Sequence, residues 1–323
     1  MAPKAIITDI HSLSTHDGPG IRTTIFFKGC SLNCVWCHNP ETINRNPEIE
    51  WDAKKCLNCR TCEEVCPENA ISFNKEKSYI INKIKCNNCG LCADKCPSHA
   101  LKVVGTEYSV DELVNRILKD EKFIKRSNGG VTFSGGEPAL HCQFISDLAK
   151  KLKAKDFHLA LDTCGLASKK AYEELLPDMD LIMFDVKEMD SQKHKAFTGV
   201  KNEMILNNLL SVRETITEKN LKTKLWIRTP LIPGMTDTNE NILAIGEFLS
   251  DEFSDVVQRW QLCAFNNLCK EKYRKLGLEW SLEHKELLSA SLANKLLGQA
   301  KIAGKNVCDI SFSGLTQKVN AGI

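Results

Sequence analysis

The stretch Thr23-Thr24-Ile25-Phe26-Phe27-Lys28-Gly29-Cys30-Ser31-Leu32-Asn33-Cys34-Val35-Trp36-Cys37 decides how the chain is read. Residues 23–28 are a short apolar run that suits a buried strand. The block Cys30-x-x-x-Cys34-x-x-Cys37 therefore sits at a strand's C-terminal end, where parallel β/α folds gather their active sites. Further apolar runs at 131–134, 157–162, 180–185, 224–228 and 259–264 alternate with helical patterns at 110–125, 144–152, 204–217, 239–249 and 283–303. Such alternation implies a parallel sheet with right-handed crossovers. Six units fit an α/β fold of the open, partial (β/α)6 barrel type.

Eleven of the sixteen cysteines fall into three blocks. The second is Cys56-x-x-Cys59-x-x-Cys62-x-x-x-Cys66-Pro67, and Cys86-x-x-Cys89-x-x-Cys92-x-x-x-Cys96-Pro97 repeats it at an offset of 30 residues. With a short β segment at 78–81 between them, the two blocks read as a ferredoxin-like module over 51–104. It interrupts a barrel made of 1–50 and 105–323. In this run the fourth cysteine ligates the other cluster of a pair. That places Cys56, Cys59, Cys62 and Cys96 on one cluster and Cys86, Cys89, Cys92 and Cys66 on the other. Four thiolates close a cluster, which suits electron relay, with a purely structural role as the alternative. Three thiolates leave one iron open. Zinc at the first block would need a fourth ligand, and His38 adjoins Cys37 too closely for an unstrained tetrahedron. Cysteines 142, 164, 263, 269 and 308 are expected to pack as small buried hydrophobes.

The composition is 42% hydrophobic and 26% charged with a net charge of +2, without the basic bias of a nucleic-acid surface. No apolar run reaches bilayer length, and the first residues lack a secretory core. These features suggest a cytoplasmic protein with no membrane partner, in a compartment where clustered thiols bind metal.

The three-cysteine block, with Trp36 before its last cysteine, resembles the signature of the radical S-adenosylmethionine (SAM) superfamily. Gly135-Gly136-Glu137-Pro138 closes the 131–134 strand and is similar to that superfamily's Gly-Gly-Glu motif, in which glycines let backbone approach a ligand. Asp185-Val186-Lys187 ends another strand, whose apolar run turns Asp185 and Lys187 toward the barrel mouth. The segments Asp17-Gly18-Pro19-Gly20-Ile21-Arg22, Cys37-His38-Asn39-Pro40-Glu41, Asn128-Gly129-Gly130 through Pro138, and Ile227-Arg228-Thr229-Pro230 through Gly234 narrow the likeness. Together they resemble the glycyl-radical-enzyme activating enzymes over residues 15–277.

The resemblance implies three 4Fe-4S clusters, SAM, a glycyl radical enzyme as protein partner, and an external reductant such as flavodoxin or ferredoxin. Cys30, Cys34 and Cys37 would hold the open-iron cluster, with Trp36 near the adenine and His38 beside it. Gly135, Gly136 and Glu137 would take SAM's methionine end, the carboxylate receiving its ammonium. Lys187, with Val186 alongside, and Arg228 would lie near the SAM carboxylate or adenosyl part. Asp162, Thr163, Met183 and Asp185 match positions of a monovalent cation site. The inserted module is similar to the branch that serves benzylsuccinate synthase, arylacetate decarboxylases, choline trimethylamine-lyase and B12-independent diol dehydratases. Where the family often has a histidine, this chain has Asn266, which still donates and accepts hydrogen bonds. Two alternatives stand beside this reading. One is a radical SAM enzyme acting on a small molecule or peptide. The other is a ferredoxin-type carrier, which would have no use for an open iron.

Overall fold

The computed structural model describes residues 3–74, 79–307 and 309–317. Two strands open the chain, β1 (Lys4–Ser14) and β2 (Arg22–Phe27). A small module follows with β3 (Glu48–Trp51), β4 (Ile71–Phe73), β5 (Tyr79–Ile81) and β6 (Leu101–Val104). The chain returns through β7 (Thr106–Ser109) to β8 (Gly130–Gly135), β9 (His158–Thr163), β10 (Leu181–Asp185), β11 (Lys224–Leu231), β12 (Val257–Ala264) and β13 (Asp309–Ser313). Among the described residues, nine strands form one sheet in the order β13-β12-β11-β10-β9-β8-β2-β1-β7. From β2 to β13 every neighbouring pair is parallel, while β1 runs antiparallel to both β2 and β7.

The six expected strands are present as β2 and β8 to β12, the partial β/α barrel. Three strands go beyond the expectation: β1 and then β7 extend the sheet past β2, and β13 adds a further parallel strand beside β12. The pattern at 110–125 is two helices, Val110–Leu118 and Glu121–Arg126. The first is fixed by a capping box in which the Ser109 hydroxyl accepts from Glu112 N–H and Glu112 accepts from Ser109 N–H. The pattern at 283–303 is helical only from Ala290 to Ala303. Cys142–Lys153, Glu203–Glu218 and Asn239–Glu252 lie where helices were expected, and Lys169–Leu175 and Ser191–Thr198 complete the crossovers.

The strands are apolar because helices cover their outer face. Phe27, Phe133, Leu161, Phe184, Ile227 and Leu262 are fully buried in the main core. The opposite side chains line the concave inner face, where Ala160, Leu181 and Met183 pack with Trp226.

At the N-terminal end of the strands, far from their ligand-binding rim, Arg22 is completely buried. Its Nε donates to Thr132 Oγ1 at 2.6 Å, and its two terminal nitrogens donate to Val131 O at 2.8 Å and Pro19 O at 3.1 Å. Burial lowers its pKa to about 10, so it remains charged at neutral pH. Asp17 accepts from the hydroxyls of Ser14 and Thr24, at 2.6 and 2.7 Å. Gly129 has no room for a side chain, since a Cβ would lie 1.8 Å from Ile21 O. The Asp17–Arg22 and Asn128–Gly130 landmarks are therefore one knot that closes the barrel floor.

The module repeats itself in conformation as well as in sequence. Asn58 and Asn88, Arg60 and Gly90, and Asn69 and His99 all have positive φ at the same offset. One-turn helices follow at Thr61–Glu64 and Leu91–Asp94. β3 pairs with β6 and β4 with β5, both antiparallel. Ile49, Cys62, Ile71, Cys92 and Leu101 make a small core of the module's own. Of the β segment expected at 78–81, Ser78 lies outside the described residues. At the join, Lys28 is fully buried and its Nζ reaches Glu48 Oε2 at 2.9 Å and Glu41 O at 2.6 Å.

Replacing Arg22 by leucine strips Thr132, Val131 and Pro19 of their charged donor. We expect a loss of about 2–4 kcal/mol in stability, read as a lower thermal unfolding midpoint under anaerobic conditions. An unchanged midpoint would contradict the role given to the floor.

Candidate active site

The first cysteine block occupies a loop of irregular backbone between β2 and the short helical turn Pro40–Thr42. Backbone partners hold it on several sides. Gly29 N–H donates to Thr42 O at 2.6 Å and Cys30 N–H to Ile43 O at 3.0 Å. Asn33 N–H donates to Thr198 O and Val35 N–H to Phe197 O, at 2.9 and 3.0 Å. From the C-terminal side, Tyr273 Oη donates to Cys37 O at 2.9 Å and Trp280 Nε1 to Val35 O at 2.8 Å. The Tyr273 and Trp280 rings stack at 5.0 Å. Three thiols are thereby carried on a loop that neighbouring elements fix at both ends.

These thiols face a cavity of about 260 Å³ at the C-terminal rim of the sheet. Of the expected site residues, Cys30, Cys34, Trp36, Cys37, His38, Gly135, Gly136, Asp162, Thr163, Asp185, Lys187 and Arg228 line it. Residues from five strand ends, β8 to β12, and one loop, far apart in sequence, thus converge on a single volume.

The glycines are required by close approach. Gly135 has φ +105°, and a Cβ on Gly136 would lie 2.2 Å from Gly29 O. Trp36 is buried and meets Phe197 edge to face at 6.1 Å, so it serves the core while presenting a surface to the cavity. His38 Nε2 contacts Asn266 O at 3.0 Å, and burial lowers the imidazole's pKa, favouring the neutral ring.

Charges at the rim are paired. Arg228 Nη1 meets Asp162 Oδ1 at 2.9 Å, and Ser134 Oγ donates to Asp162 Oδ2 at 2.8 Å. Burial raises the Asp162 pKa against the pull of Arg228. Lys187 is ion-paired with Asp185. Burial opposes the Lys187 ammonium, but Asp185, Cys34 and Cys164 outweigh it and its pKa rises. Two acids and two bases around one cavity suit a ligand that itself carries both signs.

Four expected residues lie elsewhere. Glu137 is wholly buried below the cavity, where its carboxylate accepts from Ala139 N–H, Thr163 Oγ1 and Cys164 N–H at 2.8–2.9 Å. It welds the end of β8 to the end of β9 instead of presenting itself to a ligand's ammonium. Met183 is on the inner face but buried beneath the rim, one register step below Asp185. Val186 points into the main core. Asn266 contributes its carbonyl to His38, while its side chain accepts from Leu268 N–H at 3.1 Å.

The expectation for the remaining cysteines needs one correction. Cys164 and Cys263 line the cavity, and a hydrogen bond with Cys164 holds the Cys30 thiol below its usual pKa range. Cys269 is buried and its thiol approaches Cys37 O at 3.8 Å, Cys142 is half-buried, and Cys308 lies outside the described residues. No spacing relates Cys164 to Cys30; only the adjacency of β9 and β8 does.

In the module, Cys56, Cys59, Cys62 and Cys96 line one small cavity, and Cys66, Cys86, Cys89 and Cys92 line a second. Each set takes three cysteines from one half of the repeat and the fourth from the other. Among the described residues, no three His, Cys, Asp or Glu side chains converge as they do around a single ion. No helix of the described residues is long and apolar enough to cross a membrane.

Comparison with known proteins adds the family. A family model described as a 4Fe-4S single cluster domain matches residues 16–206. The chain is 41% identical to the trans-4-hydroxy-L-proline dehydratase activating enzyme of Clostridioides difficile, covering 84% of this chain and 87% of that one. It is 37% identical to the (2S)-3-sulfopropanediol dehydratase activating enzyme of Klebsiella oxytoca, over 88% and 89%. Among solved structures, Streptococcus suis SuiB bound to precursor peptide SuiA matches with TM-score 0.52 at 14% identity, over 92% of this chain and 49% of that chain, a likeness of fold. The cysteine loop, the glycine-lined rim and these relatives together place the chain in the family of radical SAM activating enzymes, which cleave SAM to install a radical on a partner glycyl radical enzyme.

Proposed function

We propose that this activating enzyme carries three 4Fe-4S clusters, one held at the rim cavity by Cys30, Cys34 and Cys37 and two in the module. The carrying observation is the pair of four-cysteine cavities, each completed by a cysteine from the other half of the repeat. That crossing is the ligand pattern of two-cluster ferredoxins. Four cysteines per cavity leave no vacant corner, so these two centres pass electrons and bind no substrate. The set at Cys30 offers three thiols and an adjoining volume for SAM.

When bound, the open-iron cluster and SAM supply a 5′-deoxyadenosyl radical that takes a hydrogen from a glycine α-carbon. The chain's own residues prepare that event by position and charge. Gly135 and Gly136 let the β8 end pack tightly against Phe27 and Gly29 at the root of the cysteine loop, and Glu137 keeps that edge rigid from below. Arg228 and Lys187 would lie near the SAM carboxylate or adenosyl part, with Asp162 and Asp185, their ion-pair partners, balancing their charge. Asp162, Thr163 and Asp185 at adjacent strand ends offer oxygens for a monovalent cation beside SAM. Trp36 and Phe265 provide apolar walls for the adenosyl part and exclude water. The inserted module supports assignment to the branch with two extra clusters. Its exposed Cys59 and Cys89 suit an external one-electron donor of the flavodoxin or ferredoxin type.

The decisive experiment mixes the reduced enzyme with SAM and a glycyl radical enzyme encoded beside it. A doublet radical signal on a partner glycine supports the reading, while SAM cleavage with no such signal favours a small-molecule or peptide substrate. Cys30→Ala, Cys34→Ala and Cys37→Ala are each expected to abolish release of 5′-deoxyadenosine. Cys59→Ala or Cys89→Ala should lower iron content and impair activation while the SAM-binding cluster still assembles. Full activation by a chain lacking both module clusters would defeat the relay. Arg228→Gln should weaken SAM binding by about tenfold or more, measured as a rise in the SAM dissociation constant at unchanged iron content.

A further inference from the structure

A buried hydrogen-bond donor without an acceptor is rare in a folded protein and points to a group that the side chains alone do not supply. Among the described residues, Trp51 Nε1 and Tyr79 Oη are two such donors, and both belong to the cysteine module. Their rings stack at 5.5 Å with an interplanar angle of 26°, and Phe73 closes on Tyr79 edge to face at 6.0 Å. Neither ring is free to turn its polar atom toward water. Trp51 lines the cavity of Cys56, Cys59, Cys62 and Cys96. Tyr79 packs in the small core that also contains Cys62, Cys66, Cys92 and Cys96, drawn from both sets.

We propose that Trp51 Nε1–H and Tyr79 Oη–H donate hydrogen bonds to sulfur atoms of the module's clusters and raise the reduction potentials of those clusters. The inference rests on the three-cluster reading. A reduced cluster carries more negative charge on its sulfurs than an oxidised one, so donors aimed at sulfur favour the reduced state. Burial alone does the reverse, because it penalises the extra charge. Cys62 and Cys92 are both buried, and the two donors offset that penalty. The module's centres then accept an electron from a moderate donor and retain it until the rim cluster needs it.

Tyr79→Phe and Trp51→Phe keep an aromatic ring and remove the donor. In the anaerobically reconstituted full-length enzyme, iron and sulfide content are counted first, and a potentiometric titration then follows each cluster by its paramagnetic signal. Each variant is expected to move a module midpoint to more negative potential and to lose an exchangeable-proton coupling to that centre. The rim cluster's midpoint should stay in place. Replacing Tyr79 by 3-fluorotyrosine, which keeps the ring and makes the hydroxyl more acidic, should move the midpoint upward and cover the case in which Tyr79→Phe assembles poorly. Unaltered module midpoints and couplings at full iron content would overturn the proposal. A wild-type chain holding iron for a single cluster would instead overturn the three-cluster reading on which it stands.

Discussion

Three thiols that share one cavity must be held apart and kept from rearranging, and here that requirement falls on a loop with no secondary structure of its own. Irregular backbone must find its hydrogen bonds outside itself. The loop finds them in Thr42 and Ile43, in Phe197 and Thr198, and in the side chains of Tyr273 and Trp280. The adjoining turn and two distant parts of the chain, around residues 197–198 and 273–280, therefore hold the thiols in position together.

The same dependence explains how the module is tied to the barrel. Lys28 ends the strand that leads into the cysteine loop, and its buried ammonium spans Glu41 on the loop and Glu48 at the start of β3. A buried charge costs several kcal/mol unless it is paired and hydrogen-bonded, so Lys28 tolerates its burial only while both partners stay put. The helix Lys270–Lys275 makes a second tie, with Lys272 on Asn39 and Glu41 and Lys275 on Asp52. Loop, module and the Lys270–Lys275 helix are thus coupled by charge at two points.

Much of this was legible from spacing because metal ligation and parallel strands leave strong local marks. Cysteine intervals grouped the thiols that share each cavity, and continuous apolar runs marked the six inner strands of the sheet. The edges were harder for a physical reason. β1 alternates between buried and exposed positions, and β13 reads Asp-Ile-Ser-Phe-Ser, half-buried throughout, so neither presents an apolar run. The region before Ala290 carries Leu282, Leu287 and Leu288 into the core without being helical, which lengthened the expected helix. Glu137 was read from its motif as a ligand-facing acceptor, yet the neighbouring Thr163 and Cys164 amide claim it. Cys164 carried no local signal, because its tie to Cys30 exists only once β9 lies beside β8 and β8 beside β2.

An insertion of about fifty residues between the first barrel strand and the second ought to disturb a parallel sheet, and it does not. The reason is that the module begins and ends as one antiparallel ladder, Glu48 opposite Val104 and Trp51 opposite Leu101. Chain entry and exit are adjacent, so β2 and β8 still pair in register from Arg22–Gly130 to Phe27–Gly135. The cost of closing a long loop grows only slowly with its length, and the insert packs a small core of its own. The position of the insert has a chemical consequence as well. It leaves the barrel directly after the three-cysteine loop, and the Lys28 ammonium bridges Glu41 beside that loop to Glu48 at the start of β3. The module and the cysteine loop are therefore joined both along the chain and through charge, by Lys28 on Glu41 and Glu48 and by the Lys270–Lys275 helix on Glu41 and Asp52.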